Sequence, residues 1–262
     1  MKKIKYIGLA LALIISLTIV GAQPKLIAAT VVPSGTTVFI PETAIEVTPG
    51  VFSLGTSLDT NGKIVEGFLI TKEYANNHPI IENSHLTGGS CFAVLSKGAR
   101  WKTTEDYVIA NDIDPALTSA SLDAWDSEVL FNIFGNEVSG TVDGADSISP
   151  DGKNEVMFNN LGTTSTVAYT IIWGIFSGPP SQREIVEWDA VFNSAYPWSL
   201  TGEAGKMDYM NVAVHEFGHS GGLGHPRDSC VDESMYRFVS FGETKKRDLN
   251  TGDMNGIKTL YK

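Results

Sequence analysis

Apolar residues follow several different spacings along this chain, and each spacing predicts a different element. From Ile7 to Val20 the apolar run is nearly continuous; Lys2, Lys3 and Lys5 precede it, and Val20-Gly21-Ala22 offers small residues for cleavage. That arrangement reads as a secretory signal peptide over residues 1–22, because an uncleaved membrane anchor needs roughly 20 apolar residues and this run is shorter. Between residues 23 and 96 the apolar positions come in short β-rich pieces that look like a separate unit. Thr37–Ile40 stops at Pro41, and Lys63–Ile70 follows Asn61-Gly62, a dipeptide suited to a tight hairpin. Asn76–Gly89 is rich in turn formers and reads as a linker, with His78 and His85 as surface residues on it. The chain therefore divides into residues 1–22, a β-rich region at 23–90, and a second domain at 91–262.

Beyond Trp101 the rhythm changes. Asp106–Ile109 reads as a strand, and Thr118 can cap a helix in which Leu122, Trp125 and Val129 recur at helical spacing. Three strands follow, at Asn154–Phe158, Thr166–Trp173 and Glu184–Phe192. In the last, Val186, Trp188, Ala190 and Phe192 alternate with Glu187, Asp189 and Asn193, the pattern of a sheet with one covered face. Asp208 is a good N-cap for a helix striped with Met210, Val214 and Phe217, and a last helix runs from about Gly252 to Tyr261.

Composition narrows the function classes. With 262 residues, 42% hydrophobic and 19% charged, the chain is long and apolar enough for a sizeable core. Removing residues 1–22 takes away three lysines and no acid, moving the formal charge from −11 to −14. Such an acidic product does not bind nucleic acid through charge, and no second segment could cross a bilayer. Acidic loops in exported proteins can hold calcium. Asp143-Gly144-Ala145-Asp146 with Asp151-Gly152-Lys153-Asn154 is the best calcium candidate, although a solvated Asp/Gly turn explains it equally and its spacing is not that of an EF-hand.

The chemistry concentrates in His215-Glu216-Phe217-Gly218-His219-Ser220-Gly221-Gly222-Leu223-Gly224-His225. Residues four apart share one helix face, so His215 and His219 can offer ring nitrogens to one ion, while Glu216 sits about 100° round and can reach a water there. A continuing helix would carry His225 away, so the chain must break near Gly221-Gly222. An incidental origin for the five fixed positions of H-E-x-x-H-x-x-G-x-x-H is on the order of one chance in 100,000 at ordinary residue usage.

This motif resembles that of the metzincin zinc peptidases, which also carry a methionine turn beneath the metal; Ser234-Met235-Tyr236 stands ten residues beyond His225. Asp189–Asn193 before Trp198, the terminal Gly252–Tyr261, and the direct Met235-Tyr236 step look like the matrixin family in particular, over roughly residues 97–262. The resemblance implies an α+β fold, a twisted five-stranded sheet with the active-site helix under a shallow cleft, with which the strand and helix order above is compatible, and one catalytic zinc held by His215, His219 and His225. It further implies Glu216 as general base, Met235 as a soft floor, and Gly222 at the bend. Tyr236 is not assigned as a ligand. The implied activity is secreted endopeptidase action on a protein or peptide chain lying extended beside the edge strand Thr166–Trp173. Two departures stand out: no histidine lies between Trp101 and His215, so the second, structural zinc of animal matrixins is not expected, and Cys91 lacks the flanking residues of their cysteine switch. The alternative class is a non-catalytic module using the same histidines, or acidic loops, to hold zinc or calcium.

The two cysteines, Cys91 and Cys230, are expected to pair in an exported protein; the rival is Cys91 on the metal. Residues 23–90 lie between the signal and the peptidase region, which suits either a removed pro-segment or a permanent accessory domain.

Overall fold

The computed structural model describes residues 40–75 and 91–262. The signal-peptide segment, Thr37–Phe39, and His78 and His85 lie outside the described residues. In chain order the strands begin with β1 (Ile45–Thr48), β2 (Val51–Leu58), β3 (Ile64–Tyr74), β4 (Ala93–Val94) and β5 (Glu105–Ile109). Helix α1 (Pro115–Asp126) leads to β6 (Phe134–Glu137), β7 (Glu155–Asn159), β8 (Thr166–Ile175) and β9 (Glu184–Asn193). After β10 (Trp198–Ser199) and β11 (Met207–Asp208) come α2 (Tyr209–Ser220), β12 (Leu223–Gly224), β13 (Phe238–Val239) and α3 (Thr251–Leu260).

The four strands read from the sequence beyond Trp101 are adjacent in the order β8-β9-β7-β5, with β6, which was not read, added beside β5, but the sheet does not stop at β8. It runs on through β3, β2 and β1, and β13 pairs with β3. The β-rich pieces read as a separate unit are thus, over their described residues, an extension of the same sheet. Gly62 sits at φ 76° in the β2–β3 turn, where Asn61-Gly62 had pointed to a hairpin, and Leu58 pairs with Ile64 across it. Hydrophobic spacing alone could not say where that hairpin docks.

Both faces of the sheet are covered. Trp188, Ala190 and Phe192 of β9 join Val212, Ala213, Val214 and Phe217 of α2 in the main core, while Leu69, Tyr169, Ile171, Trp173 and Val191 form a second cluster on the opposite face. The open polar face expected from Glu187, Asp189 and Asn193 is therefore not seen; all three are buried. A bulge between Trp173 and Gly174, opposite Val186, also breaks the simple alternation at the start of β9.

Thr118 does not cap α1. Asp114 does, accepting a hydrogen bond from Leu117 N with Pro115 in the first turn, and the helix stops at Asp126, short of Val129. Proline is favoured at that first position because its missing N–H is unused there. The Thr118 hydroxyl instead bonds to the Asp114 carbonyl and the buried Tyr209 hydroxyl, joining α1 to α2. Asp208 caps α2 as expected, accepting from Asn211 N. Among the described residues no helix is long and apolar enough to cross a membrane.

Candidate metal centre and cleft

Helix α2 holds His215 and His219 one turn apart, and both are fully buried. The helix ends at Ser220, and Gly222 takes φ 98°, which an L side chain resists, so the chain turns back and returns His225 to the other two. The three Nε2 atoms then lie 3.0 Å (His215–His219), 3.2 Å (His219–His225) and 3.3 Å (His215–His225) apart. The outer nitrogens of two rings are fixed by the backbone: Nδ1 of His215 meets the Ser234 carbonyl at 2.7 Å and Nδ1 of His219 meets the Leu223 carbonyl at 2.9 Å. A carbonyl can only accept, so both Nδ1 atoms carry the proton and both Nε2 lone pairs face inward. Burial keeps the rings neutral, pushing His219 down to about 3 and His215 and His225 well below the ordinary imidazole value. Converging neutral imidazole nitrogens backed by carbonyls fit zinc.

Glu216 is also fully buried. Its Oε2 accepts from the Thr170 hydroxyl of β8 at 2.7 Å, while Oε1 has no hydrogen-bond partner among the described residues. Burial raises its pKa to about 8, against the opposing hydrogen bond from Thr170 and the charge of Lys72.

Two tryptophans fasten α2 from outside. Trp125 Nε1 donates to the Val214 carbonyl at 2.8 Å, and Trp101 Nε1 to the Ser220 carbonyl at 2.9 Å. Below the helix, Met235 is buried beneath Gly218. Its turn is tied to α3 by Asp253, whose carboxylate accepts from Ser234 N at 2.7 Å and Met235 N at 3.1 Å. Cys91 and Cys230 are joined by a disulfide with a Cα separation of 5.5 Å, anchoring the start of the second described stretch to the loop after His225.

The edge strand expected to receive substrate is already paired. β3 runs antiparallel along β8, from Glu66 opposite Gly174 to Glu73 opposite Thr166, and parallel to β13, with Glu73 and Tyr74 opposite Phe238 and Val239. β3 thereby bridges the strand above the histidines and the segment just beyond Met235. From it Lys72, fully buried, reaches inward: Nζ lies 3.0 Å from Nδ1 of His215 and donates to the Tyr236 carbonyl. Burial, then the nearby Lys246 charge, push the Lys72 amine well below its usual pKa.

Sequence comparison finds similarity to known proteins in part of this region. Residues 177–262 match the matrixin family model. That stretch is similar to the matrixin family. Human neutrophil collagenase is 37% identical over 73 residues, which is 28% of this chain and 15% of that protein. Arabidopsis thaliana metalloendoproteinase 2-MMP is 48% identical over 56 residues, 21% of this chain and 14% of that protein. Human matrix metalloproteinase-25 is 34% identical over 79 residues, 29% of this chain and 14% of that protein. These alignments span about 15% or less of the length of the curated relatives, while the family-model match covers the histidine helix, the methionine turn and α3. Lys72 and Thr170 fall outside it.

Sequence reasoning missed four residues here. Gly218 was visible inside the histidine motif, though nothing said what lies under it. Asp253 lay inside the predicted last helix, with nothing to say what its carboxylate would hold. Lys72 and Thr170 gave no signal, since only the pairing of β3, β8 and α2 brings them to the site.

Proposed function

We propose that this chain is a secreted zinc endopeptidase that hydrolyses peptide bonds of proteins. The observation that carries the reading is the convergence of the His215, His219 and His225 Nε2 atoms within 3.3 Å beside a buried Glu216. His215, His219 and His225 would hold zinc, which when bound supplies Lewis acidity toward a water and a peptide carbonyl. Glu216 takes the proton from the attacking water and passes it to the leaving amine, and its raised pKa suits a group that must both hold and release one. The Thr170 hydroxyl orients that carboxylate. A module using zinc only for structure would call for a fourth protein ligand, and among the described residues the histidine cluster has three members.

Secretion accords with the Lys-flanked apolar N-terminus and with the Cys91–Cys230 disulfide. Residues 23–90 act in this reading as a pro-segment whose β3 holds the cleft closed. A peptide added to a sheet edge gains main-chain hydrogen bonds, and β3 uses those of β8 while Lys72 covers the back of His215. A substrate strand needs the same edge, so β3 must leave first. The active secreted form should therefore begin downstream of Tyr74, retained at its new start by Cys91–Cys230; full activity in a form beginning near Gln23 would rule the pro-segment out.

Glu216→Ala tests the peptidase reading directly. It keeps all three imidazoles, so the matured variant should retain about one zinc per chain while cleavage of a protein substrate drops about 10²–10⁴-fold. Cleavage at the parent rate would refute the assignment.

A further inference from the structure

Alternate side chains of β3 join the α2 side of the sheet and end in different surroundings. Ile70 enters the main core, Lys72 reaches His215, and Tyr74, two residues further, lies against two rings from elsewhere in the chain. Its ring centroid stands 4.9 Å from that of Phe241 and 6.1 Å from that of Tyr196, with interplanar angles of 48° and 59°. Tilted rings at such separations attract one another.

The main chain around Tyr74 is held from both sides. Glu73 N donates to the Arg237 carbonyl at 3.1 Å, Tyr74 N to the Ser165 carbonyl at 2.7 Å, and Ala75 N to the Val239 carbonyl at 2.9 Å. These carbonyls accept from any residue that has an N–H, so they set depth and register without reading sequence. Selection has to come from where the side chains go.

The two walls around Tyr74 are fixed by bonds that do not involve β3. Tyr196, in the loop between β9 and β10, donates its hydroxyl to the Thr164 carbonyl at 2.7 Å and its N–H to the Asn193 carbonyl at 3.2 Å. Phe241 sits in a turn closed by Glu243 N on the Ser240 carbonyl at 3.2 Å, and Gly242 N ties that turn to the Lys206 carbonyl at 2.8 Å. The two rings stand 6.0 Å apart at 58°, and each is half-buried with Tyr74 in place. When the strand leaves, the slot keeps its walls and gains apolar surface in water, which another ring would cover again.

We propose that Tyr196 and Phe241 form a specificity subsite that takes an aromatic side chain from an extended substrate, two residues along from the side chain lying beside His215. The proposal rests on the peptidase reading above, and in the closed chain Tyr74 fills the place of the substrate's ring. Because the main-chain contacts are indifferent to sequence, this slot makes one class of strand bind better than another.

The test uses the matured, zinc-loaded Glu216→Ala chain, which holds a peptide without cutting it, and a fluorescent peptide with the sequence of residues 64–75 as probe. Replacing the probe's tyrosine with alanine should weaken binding at least about tenfold, whereas phenylalanine should keep it within about twofold. Adding Phe241→Ala to the chain should bring the tyrosine and alanine probes within about twofold of each other while bound zinc stays near about one per chain. In the active parent, cuts in a mixed protein substrate should show aromatic residues enriched at one fixed distance from the cleaved bond. Equal binding of the three probes would overturn the slot and leave the peptidase reading standing. Selective binding by a chain whose parent cuts no protein would keep the slot as a peptide site and remove the peptidase reading. A fully active secreted form that still carries Tyr74 against Tyr196 and Phe241 would overturn the slot as a substrate site.

Discussion

Met235 Sδ lies against the backbone of Gly218: a Cβ added to Gly218 would overlap that sulfur and stand 2.6 Å from Cζ2 of Trp125. The glycine between the two helical histidines is therefore required by the methionine turn below and the α1 tryptophan beside it. Gly218→Ala should overpack this contact and destabilise the chain by about 1–3 kcal/mol, despite alanine's better helix propensity. Chemical denaturation checks it, and a variant as stable as the parent would show that Met235 moves freely.

Asp253 should matter to the metal centre from a distance. Its carboxylate accepts from the buried Ser234 and Met235 amides, and the Ser234 carbonyl in turn fixes His215. Asp253→Ala orphans those donors, and an expected loss of about 1–3 kcal/mol should come with weaker zinc retention in a chelator competition. Unchanged retention would separate the turn from the metal.

His219→Ala should lose zinc and proteolysis together, because two imidazoles hold the ion less tightly than three. The contrast with Glu216→Ala is diagnostic when metal content and cleavage are read on the same sample.

The disulfide closes a separation of 139 residues. Replacing Cys91 and Cys230 with serine should destabilise by up to about 4–5 kcal/mol on the chain-entropy account, visible as a lower denaturation midpoint. Equal midpoints would mean that the unfolded chain is already constrained.

Asp126 offers a pH test outside the histidine cluster. Burial lifts its pKa from 3.8 to about 6, partly opposed by hydrogen bonds from Ile133 N and Phe134 N. The folded state holds this proton more tightly than the unfolded one, so the contribution to stability is full below about pH 4 and is lost as pH rises through about 6. The parent minus Asp126→Asn difference in melting temperature should change across that window and be flat above pH 7; a flat difference throughout would exclude Asp126 as its source.

Local spacing by itself determined the histidine motif and the ends of α2. Four-residue separation puts His215 and His219 on one face whatever surrounds them, Asp208 caps the helix, and glycine supplies the positive φ that returns His225. Strands β5, β7, β8 and β9 were legible for a similar reason, since two-residue alternation and apolar runs are local properties. Tertiary structure alone decided the rest. The docking of β3 on β8 rests on main-chain hydrogen bonds that carry no residue code, so nothing in Lys63–Ile70 announced that it would cover the expected substrate edge or send Lys72 to His215. Glu187 and Asp189 read as an open polar face because alternation cannot say whether a loop 40 residues earlier will fold over it. Only that long-range closure puts Asp146 N on Asp189 and Gly152 N on Glu187 and buries both strand acids.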